Sequence, residues 1–376
     1  MTAPARILHL HSSFSLGGKE ARATRLMNLM GARATHSILS AVPGAMGARD
    51  AIAPEIAVAF PGNAAPALHG KPGLRRYRAL ARFMQGFDLI LSYNWGAMDG
   101  VMAHRLLSPF MALPPLIHHE DGFNEDEAVQ RNWQRNGFRR IALPTAQALV
   151  VPSELLRRIA AAEWKTSALL IRNGIDVAAY QAPPDVAIAG LTRAPGDIVI
   201  GTVAGLRKVK DLTTLVTAAR HGSKPVKLVI VGEGPERADI AAAAAASGWG
   251  DDICLPGFMA EPHRWIGHFD ILALSSLSEQ APIAVIEAMA AGIPVASLDV
   301  GDVMAMVSEP NRRYIVHDRR QLAQALDSLA ADAALRQRIG AANAARAGEL
   351  FDEAMMVAAY DRLYGTALRG RSLFTG

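Results

Sequence analysis

The chain has 376 residues, 51% of them hydrophobic and 20% charged, which supplies sizeable cores and, at roughly 100–200 residues per domain, predicts two of them. No run of about 18 uncharged apolar residues occurs, so no membrane-spanning helix is expected, and the start lacks the basic and apolar blocks of a signal peptide. The single cysteine, Cys254, excludes a disulfide framework and a thiolate zinc cage, and predicts a soluble protein of a reducing compartment, the cytoplasm. The net charge of +4 is unevenly spread: residues 1–180 carry 20 Lys+Arg against 13 Asp+Glu, and the remainder 19 against 22. A basic first half beside a mildly acidic second half suits different partners, or simply a solvated surface.

Taken in chain order, the short apolar run Ile7–His11 ends at Ser12-Ser13 and a Gly17-Gly18 pair, and residues 20–33 then space Ala23, Leu26, Met27 and Met30 at helical intervals. Strand, glycine turn and helix open a βαβ unit. Similar strands are expected at 88–92, 116–118 and 148–151. A Pro-rich segment, 181–197, reads as the interdomain linker. A second series follows, with strands at 198–203, 227–231, 252–255, 270–273 and 294–297. Helices are expected at 212–220, 238–247 and 283–291, then at 319–331, 333–347 and 352–368. The fold class is α/β, as two successive doubly wound parallel-sheet domains, 1–180 and 181–351.

Three segments could carry chemistry. After a strand ending near Leu274, a helix is expected to start at Pro282, whose missing N–H is harmless at the first helical position, and to stop at Gly292 and Pro294. Its free amides around 281–284 would face the sheet rim, where a helix N-terminus attracts phosphate or carboxylate. Glu279 precedes that helix and Glu287 lies within it; carboxylates so placed can grip vicinal hydroxyls. Next, Gly201–Asp211 is a strand ending in a glycine turn with Arg207, Lys208 and Lys210, cations that suit a diphosphate. Third, Gly232-Glu233-Gly234 resembles part of a dinucleotide fingerprint, but Arg237 stands where the third glycine belongs, so a tight strand-to-helix turn is the better reading.

Together these residues carry a resemblance. Glu279 to Glu287 match the E-x7-E element of retaining glycosyltransferases, and Gly232–Glu236, Leu255–Phe258 and Glu287–Val295 fall in family order. Upstream, Asn173–Asp176 matches the NGID turn, Val151–Glu154 its preceding strand end, and Gly17–Glu20 the GGxE loop. The chain resembles glycosyltransferase family 4, the glycosyl transferases group 1. The resemblance implies the GT-B architecture of two facing Rossmann-like domains with a cleft between them, the last helix, about 352–376, packing back on the first. The first domain would bind the acceptor and the second the nucleotide sugar.

The resemblance also implies roles. Glu287 would hold the ribose, and Glu279 with the amides of Gln280, Ala281, Pro282 and Ile283 the transferred sugar and its phosphate. Lys210 would neutralise the leaving diphosphate. The family's second cation falls at Gly205, where Arg207 would substitute. Gly257 and Phe258 would line the base, and Gly17 and Gly18 would let the first loop approach the phosphate. On the acceptor side His118, His119, Glu120 and Asp121 form a polar cluster, in which a histidine or Asp121 would serve the acceptor hydroxyl. Metal ligation there is not expected, because adjacent histidines point apart on a strand, and no cofactor is implied beyond a UDP- or GDP-sugar donor. His9 and His11 share one face of the first strand as packing residues.

Two basic segments, Lys71–Met84 and Arg131–Arg140, interleave arginine and aromatic residues, as a solvated face or as peripheral contact with an anionic membrane surface. No nucleic-acid recognition motif accompanies them. The expected activity is a retaining, metal-independent hexosyl transfer to a glycan or lipid-linked saccharide, in bacterial envelope or exopolysaccharide synthesis, at the inner membrane face. Two other readings stand beside it: a nucleotide-sugar 2-epimerase, and a non-catalytic scaffold suggested by Gly205.

Overall fold

The computed structural model describes residues 3–15, 17–71, 73–123, 127, 130–220 and 224–374. The chain forms two units: Met1–Arg172 with Met356–Gly376, and Asn173–Met355. Unit 1 is built on a sheet of seven parallel strands: β1 (Ala5–His11), β2 (Ala34–Ser40), β3 (Val58–Ala59), β4 (Leu89–Tyr93), β5 (Leu116–His119), β6 (Ala148–Val151) and β7 (Ala168–Leu170). They lie in the order 3-2-1-4-5-6-7. Its helices are α1 (Gly18–Met30), α2 (Leu74–Met84), α3 (Met98–Leu107), α4 (Trp133–Ala142) and α5 (Glu154–Ile159). Ile7 to His11 are buried in succession because both faces of β1 are covered, which is why a parallel strand reads as a continuous apolar run. Strand β2 escapes that signature: it nears the sheet edge and alternates, with Thr35, Ser37 and Ser40 half-exposed.

Unit 2 carries six parallel strands: β8 (Ile198–Val203), β9 (Val226–Val231), β10 (Ile253–Gly257), β11 (Ile271–Leu274), β12 (Val295–Leu298) and β13 (Ile315–Val316), in the order 10-9-8-11-12-13. Its helices are α6 (Leu212–Arg220), α7 (Arg237–Ala246), α8 (Ile283–Ala290), α9 (Val303–Met306), α10 (Arg319–Ala331) and α11 (Ala333–Leu350). Strand order reverses between β1 and β4 in unit 1 and between β8 and β11 in unit 2. In an open α/β sheet that reversal opens a crevice at the carboxyl ends of the strands.

The chain passes from unit 1 to unit 2 at Arg172–Asn173, ahead of the Pro-rich segment. That segment is not a spacer: Ile188 lies in the unit 2 core with Val177 and Tyr180. Asp185 and Val186 donate backbone bonds to the Arg264 carbonyl, and the Cys254 thiol donates to Ala189 O at 2.8 Å. From Met356 the chain belongs to unit 1 again. Helix α12 (Glu353–Ala367) places Tyr360 and Tyr364 in the core that holds Ile7, Met27 and Tyr93, and Leu373 and Phe374 complete it. Asp361 fixes this last stretch by accepting from Ser372 Oγ (2.9 Å) and Leu373 N (3.0 Å).

Candidate functional site

At the unit 2 reversal the loops after β8 and β11 lie side by side. Ser275 Oγ donates to Lys210 O (3.0 Å), and Leu277 N to Val209 O (2.8 Å). These backbone ties set Lys210 against Glu279: Nζ stands 2.5 Å from Oε1, and Ser276 Oγ donates to that same oxygen at 2.7 Å. Both side chains are partly buried, so the pair is screened less than a surface salt bridge. Residues 208–210 form a single 3-10 turn that ends with Asp211 in the left-handed region (φ 45). Asp211 is held there by Thr214 Oγ1 (2.8 Å) and Arg319 (2.9 Å).

The glycines beside these loops allow close crossing rather than cofactor binding. A Cβ at Gly232 would lie 1.9 Å from Ala204 O, and one at Gly234 2.4 Å from Leu206 O. The Gly-Glu-Gly turn after β9 therefore stacks directly on the loop after β8. At Gly205 a Cβ would meet Arg207 Nε at 3.2 Å and an Nη at 3.3 Å. The Arg207 guanidinium thus covers the position from which a side chain at 205 would start.

Helix α8 begins at Ile283 rather than Pro282. Pro282 is its N-cap (φ −65, ψ 124), and the N-cap side chain makes no capping hydrogen bond. A ψ near 120° is extended, so the proline leads into the helix instead of forming its first residue. The stop is a Schellman motif: Gly292 takes φ +70, its N–H bonds Met289 O, and Ile293 N bonds Ala288 O. Segment 279–282 is clamped by Asn173 Nδ2, which donates to Ala281 O (3.0 Å), and by Asp302 N, which donates to Gln280 O (2.8 Å). Gly301 makes that second contact possible, since a Cβ there would lie 2.5 Å from Gln280 O. Sequence reasoning gave Ser276, Asn173 and Gly301 no role; the pairing of turns distant in sequence carries no local signal.

Glu287 is 8% exposed, and its Oε1 accepts from Tyr180 Oη at 3.1 Å. Burial pushes its carboxyl up to about 7, against which the Tyr180 hydrogen bond works. Gly257 ends β10 at φ +89 and Phe258 is 60% exposed, leaving its ring face free to stack.

In unit 1 the polar cluster is placed differently from the expectation of an acceptor-facing edge. His118, His119 and Glu120 are 1%, 1% and 0% exposed, because β5 and the residue after it are covered on both faces. On one side His118 Nδ1 bonds Ser92 Oγ (2.9 Å), and Glu120 Oε2 takes Arg139 Nε at 3.3 Å. On the other, His119 joins a stack with Tyr93, His11 and His9, and the tilted His36 ring meets His9 through Nδ1–Nε2 at 3.0 Å. Burial holds these histidines uncharged, down to about 4 for His36 and about 3 for His119. Asp121 is the member that is only half-buried; it pairs with Arg22 of α1 through Nη1–Oδ1 (2.7 Å) and Nη2–Oδ2 (2.9 Å). Gly17 is the N-cap of α1 and Gly18 its exposed first residue, while Glu20 is buried and paired with Lys19.

The second basic segment is also corrected. Arg139 is fully buried, its guanidinium 4.9 Å from the Trp164 ring centroid and 5.1 Å from that of Trp95, with Glu120 and Glu127 as counter-charges. Arg131 pairs with Glu163 and Arg135 with Glu127. Among the described residues no group of three His, Cys, Asp or Glu side chains is arranged to hold a metal, and no helix is long and apolar enough to cross a membrane.

These features define a class: the fold is that of the GT-B glycosyltransferases, with two α/β units each on a parallel sheet. The chain resembles the glycosyl transferases group 1, whose family model matches residues 187–346. It is 27% identical over 186 residues to 2-deoxystreptamine glucosyltransferase of Streptomyces kanamyceticus (45% of this chain, 47% of that protein). It is 30% identical over 189 residues to D-inositol 3-phosphate glycosyltransferase of Nocardia farcinica (46% and 41%). These matches thus span less than half the length of those relatives. Among solved structures, HepE of Anabaena in complex with UDP and glucose superposes with a TM-score of 0.77 at 18% identity, covering 96% of this chain and 100% of that one. WaaG, a glycosyltransferase involved in lipopolysaccharide biosynthesis, gives 0.69 at 14%, with 96% and 100% covered.

Proposed function

We propose that this protein is a retaining glycosyltransferase that moves a hexose from a UDP- or GDP-sugar to a hydroxyl of a glycan or lipid-linked saccharide, with no metal required. One observation carries the reading: Lys210 and Glu279 meet at the carboxyl edge of the unit 2 sheet, beside the start of α8. Lys210 and Arg207 supply the positive charge that a departing diphosphate needs, and the first turn of α8 adds its dipole. Glu279 holds the sugar hydroxyls, the backbone of 280–283 the phosphate, Glu287 the ribose, and Gly257 with Phe258 the base. The UDP complexes of the HepE fold relative support a uridine donor.

In the reaction the bond from the anomeric carbon to the diphosphate breaks, and the acceptor oxygen bonds that carbon from the same face. The acceptor proton leaves with the diphosphate. No protein nucleophile is needed, so Glu279 positions the sugar. The closeness of Arg207 to Gly205 weighs against a scaffold without turnover, since the second cation is supplied two residues on. In unit 1, Asp121 with Arg22 is the acceptor-side group. Exposed Arg75, Arg78 and Arg82 on α2, with Trp133 (78% exposed) on α4, support peripheral contact with an anionic membrane at its cytoplasmic face.

A thermal-shift panel of UDP, GDP, ADP and TDP, with and without EDTA, tests the reading. A ligand at about 100 times its Kd adds roughly 2.7 kcal/mol to the folded state. A rise with one nucleotide that ignores EDTA and vanishes in Glu287→Ala is expected; no rise with any of the four overturns the donor site.

A further inference from the structure

Glu287 has two carboxylate oxygens, and their surroundings differ. Oε1 accepts the Tyr180 hydroxyl at 3.1 Å; Oε2 takes no hydrogen bond from the described residues, and 8% of the residue's surface stays open. Tyr180 belongs to the 3-10 turn Val177–Gln181, which is capped by the Asp176 carboxylate accepting from Ala179 N (3.2 Å). The His263 ring meets the Tyr180 ring edge-on, centroids 5.9 Å apart. The other elements packed on α8 bring little charge to Glu287. His268 is turned to Val186 O, and Arg346 of α11 to the carbonyls of Ala305 and Met306. Tyr180 is itself 9% exposed, and burial followed by the neighbouring carboxylate keeps its phenol protonated, hence a donor.

Resting on the reading of Glu287 as the ribose-holding group, we propose that Tyr180 is its positioning residue: the hydroxyl pins Oε1 and leaves Oε2 as the acceptor for a ribose hydroxyl. A carboxylate with one oxygen fixed cannot rotate to spread its grip over alternative hydroxyl pairs. The same hydrogen bond favours the ionised form against the burial that disfavours it. Tyr180 therefore sets both the direction and the charge of the acceptor without touching the nucleotide's phosphates.

Isothermal titration with UDP and GDP identifies the tighter nucleotide, which is then compared with its 2′-deoxy form from pH 6 to 8. In the natural protein, affinity should rise with pH as Glu287 ionises. Tyr180→Phe should weaken the ribonucleotide about tenfold at pH 7, as expected for one hydrogen bond to a charged group. It should move the pH midpoint upward and shrink the preference for ribo over deoxy. In a Glu287→Gln background the same substitution should add no further loss, whereas a packing role would add the same loss. Should Tyr180→Phe fold poorly, 3-fluorotyrosine in the natural chain makes the phenol a stronger donor and should move the midpoint down. If UDP and GDP bind and Glu287→Gln weakens binding, but Tyr180→Phe leaves affinity, midpoint and ribo preference unchanged, the inference falls and the nucleotide site stands. If neither nucleotide binds the natural protein, both fall together.

Discussion

Both units are parallel sheets flanked by helices, yet they fill their interiors differently. Unit 1 encloses His9, His11, His36, His118 and His119, together with Glu20, Arg22, Glu120, Glu127 and Arg139; among the described residues of unit 2, Glu287 is the one buried charged side chain. In unit 1 the charges answer one another, as Arg139 does Glu120 and Glu127, and His9, His11, His36 and His119 are held neutral by burial. In unit 2 the other charged side chains of the described residues lie outside the buried core, and the exception lies under the proposed ribose position. Burial of a titratable group is thus a weak pointer to chemistry in unit 1 and a strong one in unit 2, because a lone buried carboxylate is costly unless something requires it.

The sharpest way to break this contrast is Arg139→Leu. It leaves Glu120 buried without its cation and Glu127 with Arg135 alone, so unit 1 should lose about 3–5 kcal/mol. Hydrogen exchange resolved by peptide should show the loss in 1–172 and not in 173–355; equal loss in both would mean the interiors are not independent. In unit 2, Lys210→Ala should lower kcat by about 10²–10³ with little change in melting temperature, since the Lys210–Glu279 pair is only partly buried. A large stability loss would make that pair structural.

The units should also respond to pH with opposite sign. His9, His11, His36 and His119 of unit 1 have folded pKa values below the unfolded value near 6.5, so the unfolded chain takes protons first. Stability falls as pH drops from about 6.5 toward the values of about 4 and about 3 for His36 and His119. Glu287 is raised to about 7 from an ordinary 4.5, so its cost grows as pH rises from 4.5 to 7 and is complete above. Glu287→Gln should then stabilise unit 2 at pH 8 by roughly 3 kcal/mol at most, at about 1.4 kcal/mol per pKa unit, while weakening nucleotide binding. Melts at pH 5 and pH 8 check it: a gain as large at pH 5 would trace to packing instead. The smallest effect is expected for His11→Phe. Neither ring nitrogen of His11 has a hydrogen-bond partner among the described residues, and the ring stacks on Tyr93 at 4.2 Å. An apolar ring of that shape should stabilise unit 1 by about 1 kcal/mol; a loss would point to a polar role.

The sequence displays some of this directly. Strands such as Ile7–His11, Ile198–Val203 and Ile271–Leu274 announce themselves because sheets covered on both faces demand unbroken apolar runs. Strands β3 and β13, of two residues each, are too short to show any period, and β2 is hidden by its alternation. The site divides in the same way. Glu279, Glu287 and Lys210 sit in local patterns whose spacing has chemical meaning. Tyr180 reaches Glu287 across 107 residues of sequence, and Asn173 reaches Ala281 across 108, so neither partnership leaves a local trace. Arg139 misleads for a related reason: within an arginine-rich helix nothing marks the one side chain that tertiary packing encloses.

The closing stretch of the chain has a consequence for biosynthesis. Tyr360, Tyr364, Leu373 and Phe374 share a core with Ile7 and Met27, while all of Asn173–Met355 is made in the interval. At about 5–20 residues per second, the ribosome delivers those intervening residues over roughly 10–40 s. Throughout that time the early half of the protein waits with the seat of its last helix uncovered. Unit 2, though translated later, can reach its final form before the half that precedes it. A stop codon placed after residue 355 would therefore damage the beginning of the protein rather than its end.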